Sequence, residues 1–314
     1  MLVCKTVRRK YMKRFLIASF SAALLLGTSF EAQAEQVWVN GVTPEEGWID
    51  YDKSRSDNDD DSLCWAASAS CVLDYWQSLY ITSSAIPTGK DIWNRFKEAS
   101  NDQAGHSILG IQWWIGGDYA GRTNNTEDDR AAISQNITSV PIETDISQFG
   151  GYYWEAIPDI NGGKSEHLEN FLHNSLFLRS DAQVIVDNLL YAPMTLNIKS
   201  NYEMFHAITL WGLEYYTKSD GLVEITSMWI TDSDDYTNQL REITTFREGN
   251  SLLYLNYFDI DKDTTDERVQ LFQYQYINVA ESDTWDFQRL IPEPSTATLS
   301  LLALAGLAAR RRRK

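Results

Sequence analysis

Residues Asp61–Ser68 read DSLCWAAS, and at this stretch an acidic loop gives way to a predicted helix that begins at Cys64. Asp61 or Ser62 can cap that helix, because their side-chain oxygens accept the unpaired backbone N–H groups of a first turn. A thiol at a helix N-terminus also lies at the positive end of the helix dipole, which favours the thiolate. Cys64 is therefore a candidate nucleophile. The alternative is a small buried side chain in a core helix.

Helical patterns come first in the chain and strand patterns come later. Helices are predicted over Cys64–Tyr80, over Asp91–Ala99 and, with a break at residues 179–181, over Glu166–Asn188, whereas Leu109–Tyr119 is predicted to be turn-rich. Strands are predicted over Val37–Val39, Thr195–Lys199, Phe205–Tyr216, Leu222–Thr231, Ser251–Phe258 and Leu271–Val279. This order favours an α+β fold, in which a helical lobe that carries Cys64 packs against an antiparallel β-sheet lobe.

A second candidate group lies in the strand-rich part. Residues 205–212 read FHAITLWG, and a KSDG turn signal at 218–221 separates them from a strand that leads into Asp232. A hairpin that is symmetric about this turn places His206 roughly opposite Asp232, with their Cβ atoms about 5 Å apart. A carboxylate beside an imidazole fixes its tautomer and stabilises the imidazolium. If Cys64 reaches His206, the three residues form a Cys–His–Asp catalytic group.

Other interpretations of these residues stay open. A lone histidine in a strand is more often a packing residue than a catalytic one. The acidic run Asp232–Asp235 is also compatible with a solvated loop or with a calcium site built from oxygen ligands. No His-x3-His or Cys-x2-Cys spacing occurs, so the sequence predicts no metal ligands and no cofactor. Cys64 and Cys71 lie about 10 Å apart on one helix, which is too far for a disulfide bond.

Both ends of the chain read as targeting segments. Residues 1–34 combine a basic region, an apolar run at Phe15–Leu26 and a small-residue cleavage site at Ala32-Gln33-Ala34, which is typical of a signal peptide. Residues 292–314 join Pro-Glu-Pro to an apolar stretch and a basic cluster, and they resemble the PEP-CTERM sorting signal. That resemblance implies transient anchoring in the inner membrane, exosortase as a processing partner, and a final location in the periplasm, at the cell surface or outside the cell.

Residues 35–291 are the predicted mature domain, and they are strongly acidic. The two terminal segments hold eleven of the 27 Lys and Arg residues but only two of the 44 Asp and Glu residues, so the remainder has a net charge of −26. Such a surface repels nucleic acid, which we therefore exclude as a partner.

Several blocks of the sequence resemble papain-like cysteine proteases, and in particular the IdeS/Mac family of IgG-cleaving endopeptidases. The blocks are Val37-Trp38 with Gly41-Val42-Thr43-Pro44, Gly47-Trp48 with Asp50 and Lys53, Leu63-Cys64 with Ala66-Ala67, His206 with Leu210-Trp211-Gly212, and Thr231-Asp232-Ser233-Asp234. The resemblance implies a papain-like fold with the active site between a helical lobe and a sheet lobe.

The resemblance also implies a role for each matching residue. Cys64 is the expected nucleophile, His206 the general base and acid, and Asp232 the residue that orients His206. Asp234 matches a supporting second carboxylate, and Lys53 matches a lysine that helps to form the oxyanion hole.

The expected function is that of a secreted cysteine endopeptidase acting on protein or peptide substrates. Immunoglobulins are one substrate class, although Trp65 replaces a small residue of the family and IgG specificity does not follow. The alternative is a non-catalytic, calcium-stabilised binding module of the cell surface or extracellular matrix.

Overall fold

A computed structural model describes residues 34–54, 60–80, 86–100, 102, 104–116, 151–154, 156–159, 163–199, 205–248, 252–257 and 267–286. The predicted signal peptide (residues 1–33 of it) and the predicted sorting signal lie outside the described residues, as does most of the acidic run at 57–61. All described residues belong to one compact unit within Ala34–Lys314.

Six helices and eight strands occur in the described residues. The helices are α1 (Cys64–Tyr80), α2 (Lys90–Ser100), α3 (Ser107–Gly116), α4 (Lys164–Phe171), α5 (Asp181–Leu189) and α6 (Val279–Ser282). The strands are β1 (Glu35–Trp38), β2 (Leu172–Leu176), β3 (Met194–Lys199), β4 (Phe205–Thr217), β5 (Val223–Thr231), β6 (Arg241–Glu248), β7 (Leu252–Tyr257) and β8 (Glu267–Ile277).

The strands form a closed antiparallel barrel. Six of them pair in the order β4-β3-β8-β7-β6-β5, and β5 then pairs with β4 to complete the ring. The other two are additions to this ring, since β2 pairs with β8 and β1 pairs with β4 beyond the end of β3. At that addition Trp38 lies against Gly212, where a Cβ atom would come within 2.5 Å of the indole ring. The close approach therefore requires glycine.

The predicted papain-like α+β arrangement is wrong. It placed a helical lobe against an antiparallel sheet lobe with the active site between them, whereas the chain folds around a closed six-stranded barrel with few helices. The physical reason lies in β6, which was not predicted because its REITTFRE sequence presents few apolar side chains. Strand β6 pairs with β5 on one side and β7 on the other, so without it the sheet stays open.

Two further elements differ from the prediction. The predicted turn-rich segment at Leu109–Tyr119 is helical as far as Gly116, within α3. The predicted helix over Glu166–Asn188 is interrupted by β2, which pairs with β8 through residues distant in the sequence. A helical pattern cannot reveal such long-range pairing, because tertiary contacts override local preference.

Helix α1 is buried on two sides and joins two hydrophobic clusters. Cys71 and Tyr75 belong to the cluster formed by the barrel strands and α5, whereas Ala66 and Trp76 belong to a second cluster with α2 and α3. Trp76 packs in this second cluster against the rings of Tyr153, Phe171 and Trp285, at centroid distances of 4.7, 5.3 and 5.8 Å. Burial of this helix on both sides fixes the position of its first residue, Cys64.

Candidate active site

Cys64 is the first residue of α1 and is partly exposed. The preceding residue, Leu63, is fully buried, and its carbonyl accepts the backbone N–H groups of Ala66 and Ala67. Leu63 thus occupies the cap position that we expected Asp61 or Ser62 to fill. One turn further along, the Ser68 hydroxyl donates to the Ile208 carbonyl at 3.1 Å, which fastens this end of α1 to β4.

The Cys64 thiol lies close enough to the imidazole of His206 for the ring to act on its pKa. Burial raises the pKa of the thiol, but the charge and hydrogen-bonding capacity of His206 lower it more, and the resulting pKa lies below that of an ordinary cysteine. The charge of Lys53 acts in the same direction. The arrangement therefore favours a thiolate beside an imidazolium.

His206 lies on β4, is 9% exposed, and has an acidic group on each side of its ring. Its Nε2 lies 2.7 Å from Oδ1 of Asp232, and its Nδ1 lies 3.7 Å from Oδ2 of Asp234. Burial lowers the pKa of His206, whereas Asp232, Asp234 and the Cys64 thiolate raise it well above the ordinary value. With Nε2 bound to Asp232, Nδ1 is the nitrogen left to face the thiol.

The hairpin register differs slightly from the symmetric one that we predicted. Thr209 pairs with Thr231, so that continuation of this register places Asp232 opposite Ile208 and two residues away from His206. An offset of two residues keeps the side chains on the same face of the sheet. His206 and Asp232 therefore still meet, as the 2.7 Å distance records.

Asp232 is 1% exposed and binds four donors. Oδ1 accepts from His206 and from the Asp234 backbone N–H at 3.1 Å, while Oδ2 accepts from Arg241 Nη1 at 3.2 Å and from the Tyr257 hydroxyl. Burial raises the pKa of Asp232, but His206, the Tyr257 hydroxyl and the Asp234 backbone N–H lower it to about 2. The carboxylate therefore stays ionised at neutral pH.

Arg241 and Tyr257 were not among the predicted site residues. Arg241 is the first residue of β6, which was not predicted, and Tyr257 ends β7. The signal that could have found Arg241 is its charge, because a buried acidic run such as Asp232–Asp235 needs a cation nearby.

Lys53 lies beside the same acidic segment. Its Nζ is 2.6 Å from Oδ1 of Asp234 and donates to the Asp61 carbonyl at 2.6 Å, while its backbone N–H donates to the Ser233 carbonyl at 3.0 Å. Burial lowers the pKa of Lys53, but Asp234 and the neighbouring Cys64 thiolate raise it above the ordinary value. All five predicted site residues are thus brought together, and their chemical roles stay predictions.

Two of the other histidines have partners that their local sequence does not reveal. His167 Nδ1 lies 2.8 Å from Oε1 of Glu281, and the His173 ring stacks on Tyr276 at a centroid distance of 4.6 Å. The predicted helix over Glu166–Asn188 includes His173, but this residue lies on β2. Neither histidine belongs to the candidate site.

Two groups of described residues bring three potential metal ligands within 4.8 Å of one another. The first is His206, Asp232 and Asp234 of the candidate site. The positive charge of the Arg241 guanidinium, 3.2 Å from Asp232, disfavours binding of a metal cation at this group.

The second group is Asp50, Asp52 and Asp235. Burial, followed by repulsion from neighbouring carboxylates, raises the pKa of Asp50 to about 9 and that of Asp52 to about 6. Acidic groups commonly lie this close without a metal ion, so this group alone does not define a metal site.

Comparison with known proteins identifies one part of the chain. Residues 290–314 match the PEP-CTERM protein-sorting motif, which confirms that prediction. No curated protein matches the chain. The motif is a sorting signal of exported proteins that exosortase processes at the membrane, so the protein is exported and exosortase is its processing partner.

The IdeS/Mac resemblance gains no support from these comparisons and stays a prediction. Among the helices in the described part of the chain, none is both long enough and apolar enough to cross a membrane.

Proposed function

We propose that this exported protein is a cysteine endopeptidase that hydrolyses peptide bonds in protein substrates. The observation that carries the proposal is that His206, whose Nε2 lies 2.7 Å from the buried carboxylate of Asp232, also lies close enough to the Cys64 thiol to lower its pKa. A nucleophile, a base and a group that orients the base are the parts that covalent acyl transfer requires.

The proposed reaction begins from the thiolate–imidazolium pair, in which the proton of the Cys64 thiol already lies on His206. The thiolate attacks the substrate carbonyl carbon, and the His206 imidazolium then protonates the leaving amine as the C–N bond breaks. His206 next accepts a proton from water, whose oxygen attacks the thioester carbon. The C–S bond then breaks, the acid product leaves, and the freed Cys64 thiolate again lies beside the protonated His206. Asp232 stabilises the imidazolium in both halves of the cycle.

Two groups are suited to stabilise the oxyanion. As the first residue of α1, Cys64 has a backbone N–H without an acceptor inside the helix. The Lys53 ammonium is close enough to Cys64 to lower the thiol pKa, so its positive charge also acts on the carbonyl under attack. Donors of this kind are typically worth about 3–4 kcal/mol in the transition state.

Lys53 is itself held in place by Asp234, at 2.6 Å. Asp234 therefore links the oxyanion side of the proposed site to the imidazole, since its other oxygen lies 3.7 Å from His206 Nδ1. This double contact agrees with the supporting role that the IdeS/Mac resemblance implies for Asp234. The same resemblance favours peptide bonds over other acyl substrates.

The test is digestion of casein and of immunoglobulin by the exported protein, with products identified by mass spectrometry. The matched variants are Cys64→Ala and Cys71→Ala, which remove thiols seven residues apart on one helix. We expect cleavage by the wild type and by Cys71→Ala but not by Cys64→Ala. Equal cleavage by the wild type and Cys64→Ala, or no cleavage by the folded wild type across a peptide library, would contradict the proposal.

A further inference from the structure

The buried carboxylate of Asp232 uses its two oxygens for different purposes. Oδ1 faces His206 and the Asp234 backbone N–H, whereas Oδ2 faces the Arg241 guanidinium and the Tyr257 hydroxyl. Rotation of the carboxylate away from His206 would break the contacts of both oxygens at once.

Arg241 and Tyr257 also hold each other. The Arg241 guanidinium lies over the Tyr257 ring at 5.5 Å, and Tyr257 is 5% exposed. The two residues belong to different barrel strands, β6 and β7, so the barrel itself fixes the direction from which they approach Asp232. A buried anion held by donors from two strands has little freedom to move.

We propose that Arg241 and Tyr257 are positioning residues, which bind Oδ2 of Asp232 and so keep Oδ1 aimed at Nε2 of His206. The inference rests on the proposed function and assigns the residues that align its base. Neither residue is placed at the reacting atoms. Their effect on the reaction passes through Asp232 and then through His206.

The titratable groups that face His206 come from several elements. Cys64 faces it from α1, Asp232 and Asp234 face it from the segment after β5, and Tyr257 faces it at a ring distance of 6.0 Å. Lys53 and Arg241 are the neighbouring cations, bound to Asp234 and Asp232 respectively.

Loss of either Oδ2 donor has a predictable sign. The Tyr257 hydrogen bond lowers the pKa of Asp232, and the positive charge of Arg241 favours the same ionised form. Without one of them Asp232 takes up a proton at a higher pH. The thiolate–imidazolium pair then loses its supporting anion at that higher pH.

The test is the pH dependence of Cys64 alkylation by iodoacetamide in the exported protein, measured on the Cys64 peptide by mass spectrometry. The variants are Tyr257→Phe, which removes one hydroxyl, Arg241→Met, which removes the charge, and Arg241→Lys, which retains it. The matched control is Tyr75→Phe, because Tyr75 is also buried, and its hydroxyl donates to the Asn40 carbonyl at 2.8 Å, away from the site.

We expect Tyr257→Phe and Arg241→Met to raise the acid midpoint of alkylation by about one pH unit. Tyr75→Phe should keep the wild-type midpoint, and Arg241→Lys should recover part of the shift. Unchanged midpoints in both Tyr257→Phe and Arg241→Met, with both proteins folded, would overturn the inference. If Tyr257→Phe does not fold, the inference is tested by comparing the alkylation midpoints of Arg241→Met and Arg241→Lys.

Casein cleavage separates this inference from the proposed function. If the wild type cleaves no substrate but the two variants shift the alkylation midpoint, the peptidase proposal is wrong and the role of Arg241 and Tyr257 in positioning His206 is supported. If the wild type cleaves casein and both variants have the wild-type alkylation midpoint and cleavage rate, the peptidase proposal is supported and the positioning role is wrong.

Discussion

Cys64 and Cys71 lie on the same helix, seven residues apart, and their thiols have opposite properties. Cys64 is partly exposed at the first residue of α1, where His206 lowers the pKa of its thiol. Cys71 is 2% exposed in the barrel cluster, where burial and then the charge of Asp50 raise the pKa of its thiol.

The difference shows that surroundings, rather than residue type, decide which thiol is activated. Burial by itself raises the pKa of both thiols. Cys64 gains an imidazole and an ammonium in exchange, whereas Cys71 gains a neighbouring carboxyl group. Positively charged partners therefore outweigh the effect of burial on the pKa of Cys64. At Cys71 a negatively charged partner adds to the effect of burial.

The largest expected effect is on thiol reactivity. At pH 7 we expect iodoacetamide to modify Cys64 about a thousandfold faster than Cys71, because the thiolate is the reactive form. As the pH falls below about 8.5, the ordinary thiol pKa, Cys64 should stay reactive while Cys71 stays inert. Peptide mass spectrometry measures both rates in one sample, and comparable rates would remove the contrast between the two cysteines.

The second prediction concerns the anion behind His206. Asp232→Asn should lower kcat for peptide hydrolysis by about a thousandfold with little change in KM, because the imidazolium loses its partner. Asp235→Asn is the matched control, since Asp235 is also 1% exposed but binds Thr237 and Gln239 instead of His206. Similar losses of kcat in the two variants would show that general disruption of the acidic segment explains the effect.

The third prediction concerns the cation beside Cys64. Lys53→Met should lower kcat by about a hundredfold, the usual scale for loss of one oxyanion donor. It should also raise the pKa of the Cys64 thiol, because a positive charge that lowers this pKa is removed. Lys97→Met serves as a control, since Lys97 forms an ion pair with Asp60 at 2.9 Å and not with Asp234. Unchanged kcat in Lys53→Met would exclude the oxyanion role.

The smallest expected effect concerns the surroundings of Cys71. The pKa of Asp50 is raised to about 9 in the folded protein, so at pH 8 this carboxyl holds a proton when folded and loses it on unfolding. Rising pH between about 4 and 9 therefore favours the unfolded state of the wild type, and Asp50→Asn should remove that cost.

We expect Asp50→Asn to gain about 1 kcal/mol or more in the free energy of unfolding at pH 8. The gain should shrink toward pH 4, and urea unfolding followed by tryptophan fluorescence measures it at both pH values. A gain that is independent of pH would mean that Asp50 is ionised in the folded protein.

The features that local sequence controls were the ones that could be predicted. The predicted helix over Cys64–Tyr80 has the observed bounds, because small and apolar residues continue to its end. His206 and Asp232 were placed near each other because one short turn connects their strands, and an error of two residues in register left their side chains on one face.

The features that depend on distant contacts could not be predicted. Barrel closure requires β6, whose sequence has little apolar periodicity, and it requires pairing of β3 with β8, which are far apart in the sequence. Arg241 and Tyr257 reach Asp232 because β6 and β7 follow β5 in the sheet, so neither residue could be placed at Asp232 while β6 was unrecognised. The segment that contains β2 was predicted as helix for the same reason.

The most direct test of the central claim is a pH titration of the Cys64 thiolate by its ultraviolet absorbance. The difference between the wild type and Cys64→Ala isolates this thiol, and the same measurement in a His206→Ala background removes its partner. We predict that Cys64 ionises below the ordinary thiol pKa of about 8.5, and that its pKa rises above this value without His206. Ionisation at an ordinary thiol pKa in the wild type, unchanged by His206→Ala, would contradict the account.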